Sequence, residues 1–173
     1  SIPRVFAHAF PVASSLDPLD AAILGWIVTD GYASRPPSKS GKVYASIMQK
    51  KYVEEVCSLL EYDKATLKCD SSGIYRIRVP SHHVNSIGKV YSWDKDTLPS
   101  LIPSLSKEAA ESMWDSMYLA EGSKNGKVFT QNVGGVSVAY QMLCVLLGKP
   151  ITIAEPISRW GMEDTHIVSE EQQ

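Results

Sequence analysis

Ile23-Leu24-Gly25-Trp26-Ile27-Val28-Thr29-Asp30-Gly31 is an apolar run with a small residue at its third position, closed by an acid and then glycine. The same layout returns in the second half of the chain as Trp114-Asp115-Ser116-Met117-Tyr118-Leu119-Ala120-Glu121-Gly122. One such stretch is an ordinary helix end. Two, with similar sequence downstream, imply an internal duplication carrying one carboxylate per copy. Two carboxylates brought together can hold the divalent ions that hydrolyse phosphodiesters.

Working outward, Asp17 or Asp20 can cap a helix over 19–29, with Pro18 near its first turn. Its residues are apolar on nearly every side, so it is expected in the interior, with Gly31 suited to a helix C-terminus. Strands are expected at 32–34 and 42–48 around a turn-rich loop at 35–41. Val43, Ala45 and Ile47 alternate with Tyr44, Ser46 and Met48, the period of a half-buried strand. A helix over 51–60 follows, with Val53, Val56, Cys57 and Leu60 on one face. Strands at 65–69 and 74–80 flank the turn at 70–73. Residues 82–88 read as a short helix or loop, and His82-His83 as a solvated pair.

A linker at 95–105, with two prolines, leads to a second apolar helix over 107–120. A tight hairpin is expected at 123–131, around Asn125-Gly126. A helix over 136–147 and strands at 150–154 and 165–169 complete the chain. Each half thus reads αββαββ, with Gln49 and Gln131 each closing a strand before the inner helix. The predicted fold is α+β, with two pseudo-symmetric halves at 1–95 and 96–173 and sheets forming a saddle.

Gly25 and Ser116, with Thr29 and Ala120 one turn later, allow two helix backbones to approach closely. Side by side, those helices would bring Asp30 and Glu121 to one spot. Two bare carboxylates there would repel, and a divalent cation relieves the repulsion. Oxygen-only ligands with open water positions suit Mg²⁺.

The chain has 173 residues, 44% of them hydrophobic, and a formal net charge of −2. That is enough for one compact domain or two fused halves. It contains no apolar run long enough to span a membrane and no signal-peptide pattern at its start. Its three cysteines, Cys57, Cys69 and Cys144, form no CxxC pair, are expected to be small core residues, and point to a reducing, intracellular setting. From 31 to 95, eleven Lys and Arg face six Asp and Glu, a net of +5; elsewhere six face thirteen, a net of −7. A basic segment in an acidic chain marks a candidate binding face. Its strand residues are Arg35, Lys39, Lys42, Tyr44, Ser46, Gln49, Lys68, Arg76 and Arg78, with Lys124, Lys127 and Thr130 in the second half. Such positions on a sheet can read base edges in the major groove, but a one-residue slip exchanges the faces.

These residues resemble the LAGLIDADG homing endonucleases in their single-chain, two-motif form. The likeness runs from Leu19 to Ser169, close in the first motif and looser in the second, where Ser116 replaces the usual Gly and Glu121 the common Asp. It implies a site-specific, double-strand DNA endonuclease using Mg²⁺, with Mn²⁺ able to substitute. The final acids Asp30 and Glu121, with the adjoining Gly31 and Gly122, would form the metal sites. Gln49 and Gln131 would stand near the active centre. Lys95, ahead of Leu98-Pro99, would polarise the scissile phosphate or its attacking water. Double-stranded DNA is the implied partner of a monomer, with a partner chain if the protein is split. Such domains occur free-standing and within inteins. A relative that has lost cleavage and binds DNA or RNA in transcription or splicing is the alternative.

Overall fold

The computed structural model describes residues 10–34, 41–122, 128–132, 134–149, 152–153 and 165–169. Helix α1, Pro18–Asp30, starts where the Asp17 carboxylate accepts the Asp20 amide at 2.7 Å, and Pro18 occupies the first turn. Every residue from Asp20 to Val28 is buried, as the all-round apolar sequence predicts. Asp20 is therefore no cap. It is 4% exposed and meets His83 Nδ1 at 2.9 Å. His83 belongs to α3, Ser81–Gly88. The histidines are not a solvated pair: His82 is exposed, while His83 ties α3 to the central helix.

Strands β1, Gly31–Ser34, β2, Tyr44–Gln49, and β3, Tyr75–Arg78, form an antiparallel sheet in that order. Ala33 faces Ala45 and Ile47 faces Ile77, which sets the apolar alternates toward the core. Helix α2, Val53–Leu60, buries Val53, Val56, Cys57 and Leu60 as its spacing predicts. The strand predicted at 65–69 is absent. Lys64–Thr66 is a 3₁₀ turn, and pairing is confined to a single bridge between Cys69 and Tyr75. Local bonds win here: the Asp63 side chain accepts from the Ala65 amide, and Asp70 Oδ1 accepts from Ser72 and Ile74. Cys69 is exposed rather than a core residue, whereas Cys57 and Cys144 are buried.

The linker is helical, with a 3₁₀ turn at Lys95–Thr97, α4 at Leu98–Leu101 and a second 3₁₀ turn at Ile102–Ser104. Pro99 and Pro103 lie in first turns, where a missing N–H costs little. Leu98, Leu101, Ile102 and Leu105 are buried. Helix α5, Lys107–Met117, is capped by Ser106 and ends in a π turn, Tyr118–Gly122, rather than continuing as α-helix to 120. Strand β4 is Val128–Asn132. Helix α6, Gly135–Leu147, stops at Gly148, whose φ is +70°. Strands β5, Thr152–Ile153, and β6, Thr165–Ser169, join β4 in the order β4-β6-β5. The partner of β4 is β6, and the hairpin arm predicted at 123–127 lies outside the described residues.

The architecture is α+β, with α1 and α5 packed together and an antiparallel sheet in each half. Among the described residues each sheet has three strands, not four. A Cβ at Gly25 would stand 2.9 Å from both the Met113 carbonyl oxygen and the Ser116 Cβ, so small residues do set this crossing. The helices run parallel. Their starts are tied together by Ser15 N–H to the Ser104 carbonyl at 3.0 Å and Ser106 N–H to Ser14 Oγ at 2.9 Å. The π turn, at the far end, packs against α1. No helix among the described residues is long and apolar enough to cross a membrane.

Tyr91 is buried where the linker begins. Desolvation, with smaller contributions from the Asp94 and Asp96 carboxylates, pushes its phenol up to about 12. The fold therefore favours the neutral phenol relative to an unfolded value near 10. This contribution to stability is complete below about pH 10 and is lost as pH rises through about 12. Denaturant midpoints across that window should fall more steeply for the native chain than for Tyr91→Phe. Parallel curves would contradict the assignment.

Candidate functional site

Asp30 closes α1 and is half-buried. Gly31 follows with φ −132° and ψ −164°, so it is extended and not in the left-handed cap conformation that its sequence position suggested. Its role is steric. A Cβ there would overlap the Ser46 carbonyl oxygen and sit 3.1 Å from the Ile27 Cα. The acid is thus delivered at the point where the helix runs directly into the sheet.

Gln49 ends β2 on the core-facing side and is 5% exposed. Its Nε2 donates to Asp30 Oδ2 at 2.9 Å. Its Oε1 accepts from the backbone N–H groups of Tyr52 at 3.1 Å and Lys50 at 3.3 Å, where the chain turns into α2. The amide orientation follows from these partners, because a carboxylate needs a donor and backbone N–H groups need an acceptor. Gln49→Ala should therefore cost about 1–3 kcal/mol, since it removes the donor to a half-buried carboxylate and the acceptor of two backbone amides. Denaturant unfolding checks this, and an unchanged midpoint would show the network to be idle.

Glu121 is half-buried in the π turn that ends the second motif, with Gly122 after it. Gly25 precedes Asp30 by the same number of residues as Ser116 precedes Glu121. With Gly25 against Ser116 and the helices parallel, both acids lie at the same end of the pair. Both helices also direct their carbonyl ends there, and the negative ends of two helix dipoles favour a cation. Among the described residues no group of three or more His, Cys, Asp or Glu could hold a metal. The acids brought to this end, Asp30 and Glu121, offer oxygen donors alone. That set fits Mg²⁺ better than a closed zinc site.

Lys95 is exposed and opens the linker. It lines a small cavity with Ile27, Val28, Tyr32, Ala33, Tyr91 and Trp93, which places it beside the Asp30 end of α1. A Cβ at Gly135 would overlap the Lys95 carbonyl, so the start of α6 is pressed onto this lysine's backbone. Sequence reading missed Gly135; its signal was the Gly134-Gly135 pair just before a helix.

The outer face of the first sheet carries Tyr32, Tyr44, Ser46, Met48, Arg76 and Arg78, by register. Arg76 lies over the Tyr32 ring at 5.4 Å and Arg78 over the Tyr44 ring at 4.5 Å. Ser46 has the outward parity but is only 5% exposed. Lys42 is exposed ahead of β2, and Lys68 is exposed in the loop before Cys69 rather than on a strand. Thr130 and Gln131 lie on β4, opposite Ile167 and His166. Arg35, Lys39, Lys124 and Lys127 fall outside the described residues.

No protein-family profile matches the chain, and no curated protein matches it in sequence. Solved structures do match its fold. A structure of I-DmoI in complex with DNA and Mn has a TM-score of 0.59 at 16% identity, covering 89% of this chain and 89% of that one. I-DmoI in complex with DNA and Ca gives 0.58 at 15%, over 89% and 83%. Mesophilic variants from the homing endonuclease I-DmoI give 0.56 at 15%, over 89% and 88%. The chain has the fold of I-DmoI, a LAGLIDADG homing endonuclease.

Proposed function

We propose that this chain is a Mg²⁺-dependent, site-specific endonuclease of double-stranded DNA, in which the repeats at 1–95 and 96–173 each contribute one metal-binding acid. The observation that carries the reading is the in-register, parallel packing of α1 and α5, which ends both Asp30 and Glu121 at one end of the pair. The DNA and Mn complex of a protein with the same fold supports it.

In this reading Asp30 and Glu121 hold the divalent ions, helped by the backbone at Gly31 and Gly122, with Mn²⁺ able to replace Mg²⁺. Bound there, the ions supply an activated water and neutralise the charge that develops on the phosphate. Gln49 fixes the orientation of the Asp30 carboxylate through its Nε2 bond at 2.9 Å. Gln131 is its counterpart by position on β4. Lys95, beside the end of α1, presents an ammonium to a phosphate oxygen or to the attacking water. Lys42, Lys68, Arg76 and Arg78, together with Arg35, Lys39, Lys124 and Lys127, supply the positive contacts to DNA. The chain acts as a monomer on intracellular DNA.

The test is a plasmid carrying the gene's uninterrupted insertion locus, incubated with the chain in Mg²⁺ and in EDTA. Linear product in Mg²⁺ alone supports the proposal. Tight, salt-sensitive binding with no cutting in Mg²⁺ or Mn²⁺ would overturn the nuclease assignment and leave a DNA-binding protein.

A further inference from the structure

We infer that Arg76 and Arg78 are base readers that select two guanines separated by one base pair in the DNA bound by the first half. This rests on the DNA-binding reading above.

Both side chains rise from alternate positions of β3, so they share the outer face. Among the described residues β3 ends the strand order, with only the Cys69–Tyr75 bridge beyond it, yet neither arginine stays at that border. Arg78, opposite Ser46, reaches the Tyr44 ring, and Arg76, opposite Met48, reaches the Tyr32 ring on the far strand β1. Their arms therefore lie across the middle of the sheet. The burial of Ser46, an outward-facing polar residue at the centre of that face, is the independent sign of this cover. Among the described residues neither guanidinium makes an ion pair.

A guanidinium stacked on a ring is held flat while its N–H groups remain at the rim of the plane. Such a fork matches the N7 and O6 acceptors that guanine shows in the major groove. A phosphate would accept the same fork. The central placement decides between them, because the middle of a sheet lying in a groove faces base edges and its borders face the backbone. The tyrosines, exposed at 39% and 37%, act as positioning residues for the two planes.

Spacing gives the pattern. Alternate residues on a strand are roughly 6.8 Å apart, and both arms lean the same way along the sheet. With the strand along the groove, that equals two base steps of about 3.4 Å. The guanines, on either strand, should be two positions apart.

The experiment is selection of bound duplexes from a randomised library by the full chain in Ca²⁺, repeated with Arg78→Gln, Tyr44→Leu and Lys68→Ala. Guanine should dominate two positions with one between them. Arg78→Gln should convert one of these to adenine, which Gln reads through N6 and N7, with roughly ten- to hundred-fold weaker binding to the original site. Tyr44→Leu should blur that same position only, and Lys68→Ala should leave both preferences intact. A consensus lacking such a guanine pair would overturn the inference. So would an Arg78→Gln effect that is uniform over sequences and lowers the salt slope by about one, the mark of a phosphate contact. Failure to select any duplex, with no cutting of the locus plasmid, would overturn the DNA-binding reading itself.

Discussion

Asp30→Asn should abolish metal-dependent cutting, by roughly a thousand-fold or more, while leaving the fold and DNA affinity nearly unchanged. The size follows from what the acid would hold in the proposed centre. A divalent ion at the reacting phosphate supplies several kcal/mol of charge stabilisation, and each 1.36 kcal/mol is about tenfold in rate. The substitution removes the charge without removing the shape. Asn still offers an oxygen to Gln49 Nε2, so the bond that now joins them at 2.9 Å can persist. The opposing view is that two interior helices merely end in acids near a turn. On that view Asp30→Asn would be silent in Mg²⁺ and EDTA alike. Glu121→Gln provides the matching arm. Loss of cutting in both variants with retained binding marks a shared centre; wild-type rates in either would remove that residue from it.

Gly31→Ala should be the most damaging single-methyl change in the first motif. Its Cβ would overlap the Ser46 carbonyl oxygen and crowd the Ile27 backbone, so helix and sheet must separate at the residue after Asp30. Overpacking against fixed backbone costs about 1–3 kcal/mol, and more where neither side can yield. The denaturant midpoint should drop with an unchanged slope. Gly31→Asn discriminates the cause. Asn tolerates the left-handed cap conformation, so a conformational role would make it mild. The extended backbone observed here makes it at least as harmful as Ala. Activity should fall further than stability under folding conditions, because the displaced backbone carries the candidate metal-binding acid.

Gly31 owes its place to a contact that spacing along the chain does not reveal. Its presence after the acid was legible, but the reason lay in a carbonyl from a strand that comes fifteen residues later in the chain. Gln49 was also visible as a strand terminus. That its amide bridges Asp30 and the start of α2 depends on three segments meeting. Asp20 and His83 each had a plausible local role, and a contact between α1 and α3 displaced both. The segment at 65–69 carried strand-like residues, but the Asp63 and Asp70 side chains captured nearby amides first. Charge counting identified the basic segment, yet only strand register showed which arginines share a face and which rings they cover.

What the sequence determined by itself is whatever repeats or alternates along the chain. The two motifs, their small residues and terminal acids, and the period-two strands act through neighbours at fixed offsets. They were enough for the α+β fold, the central helix pair and the choice of candidate acids. The tertiary structure alone decided the parallel, in-register packing that puts both acids at one end, the amide that orients Asp30, and the arginines laid across the sheet. Those depend on contacts between residues distant in sequence, where direction and distance are set by packing and hydrogen bonding rather than by spacing along the chain.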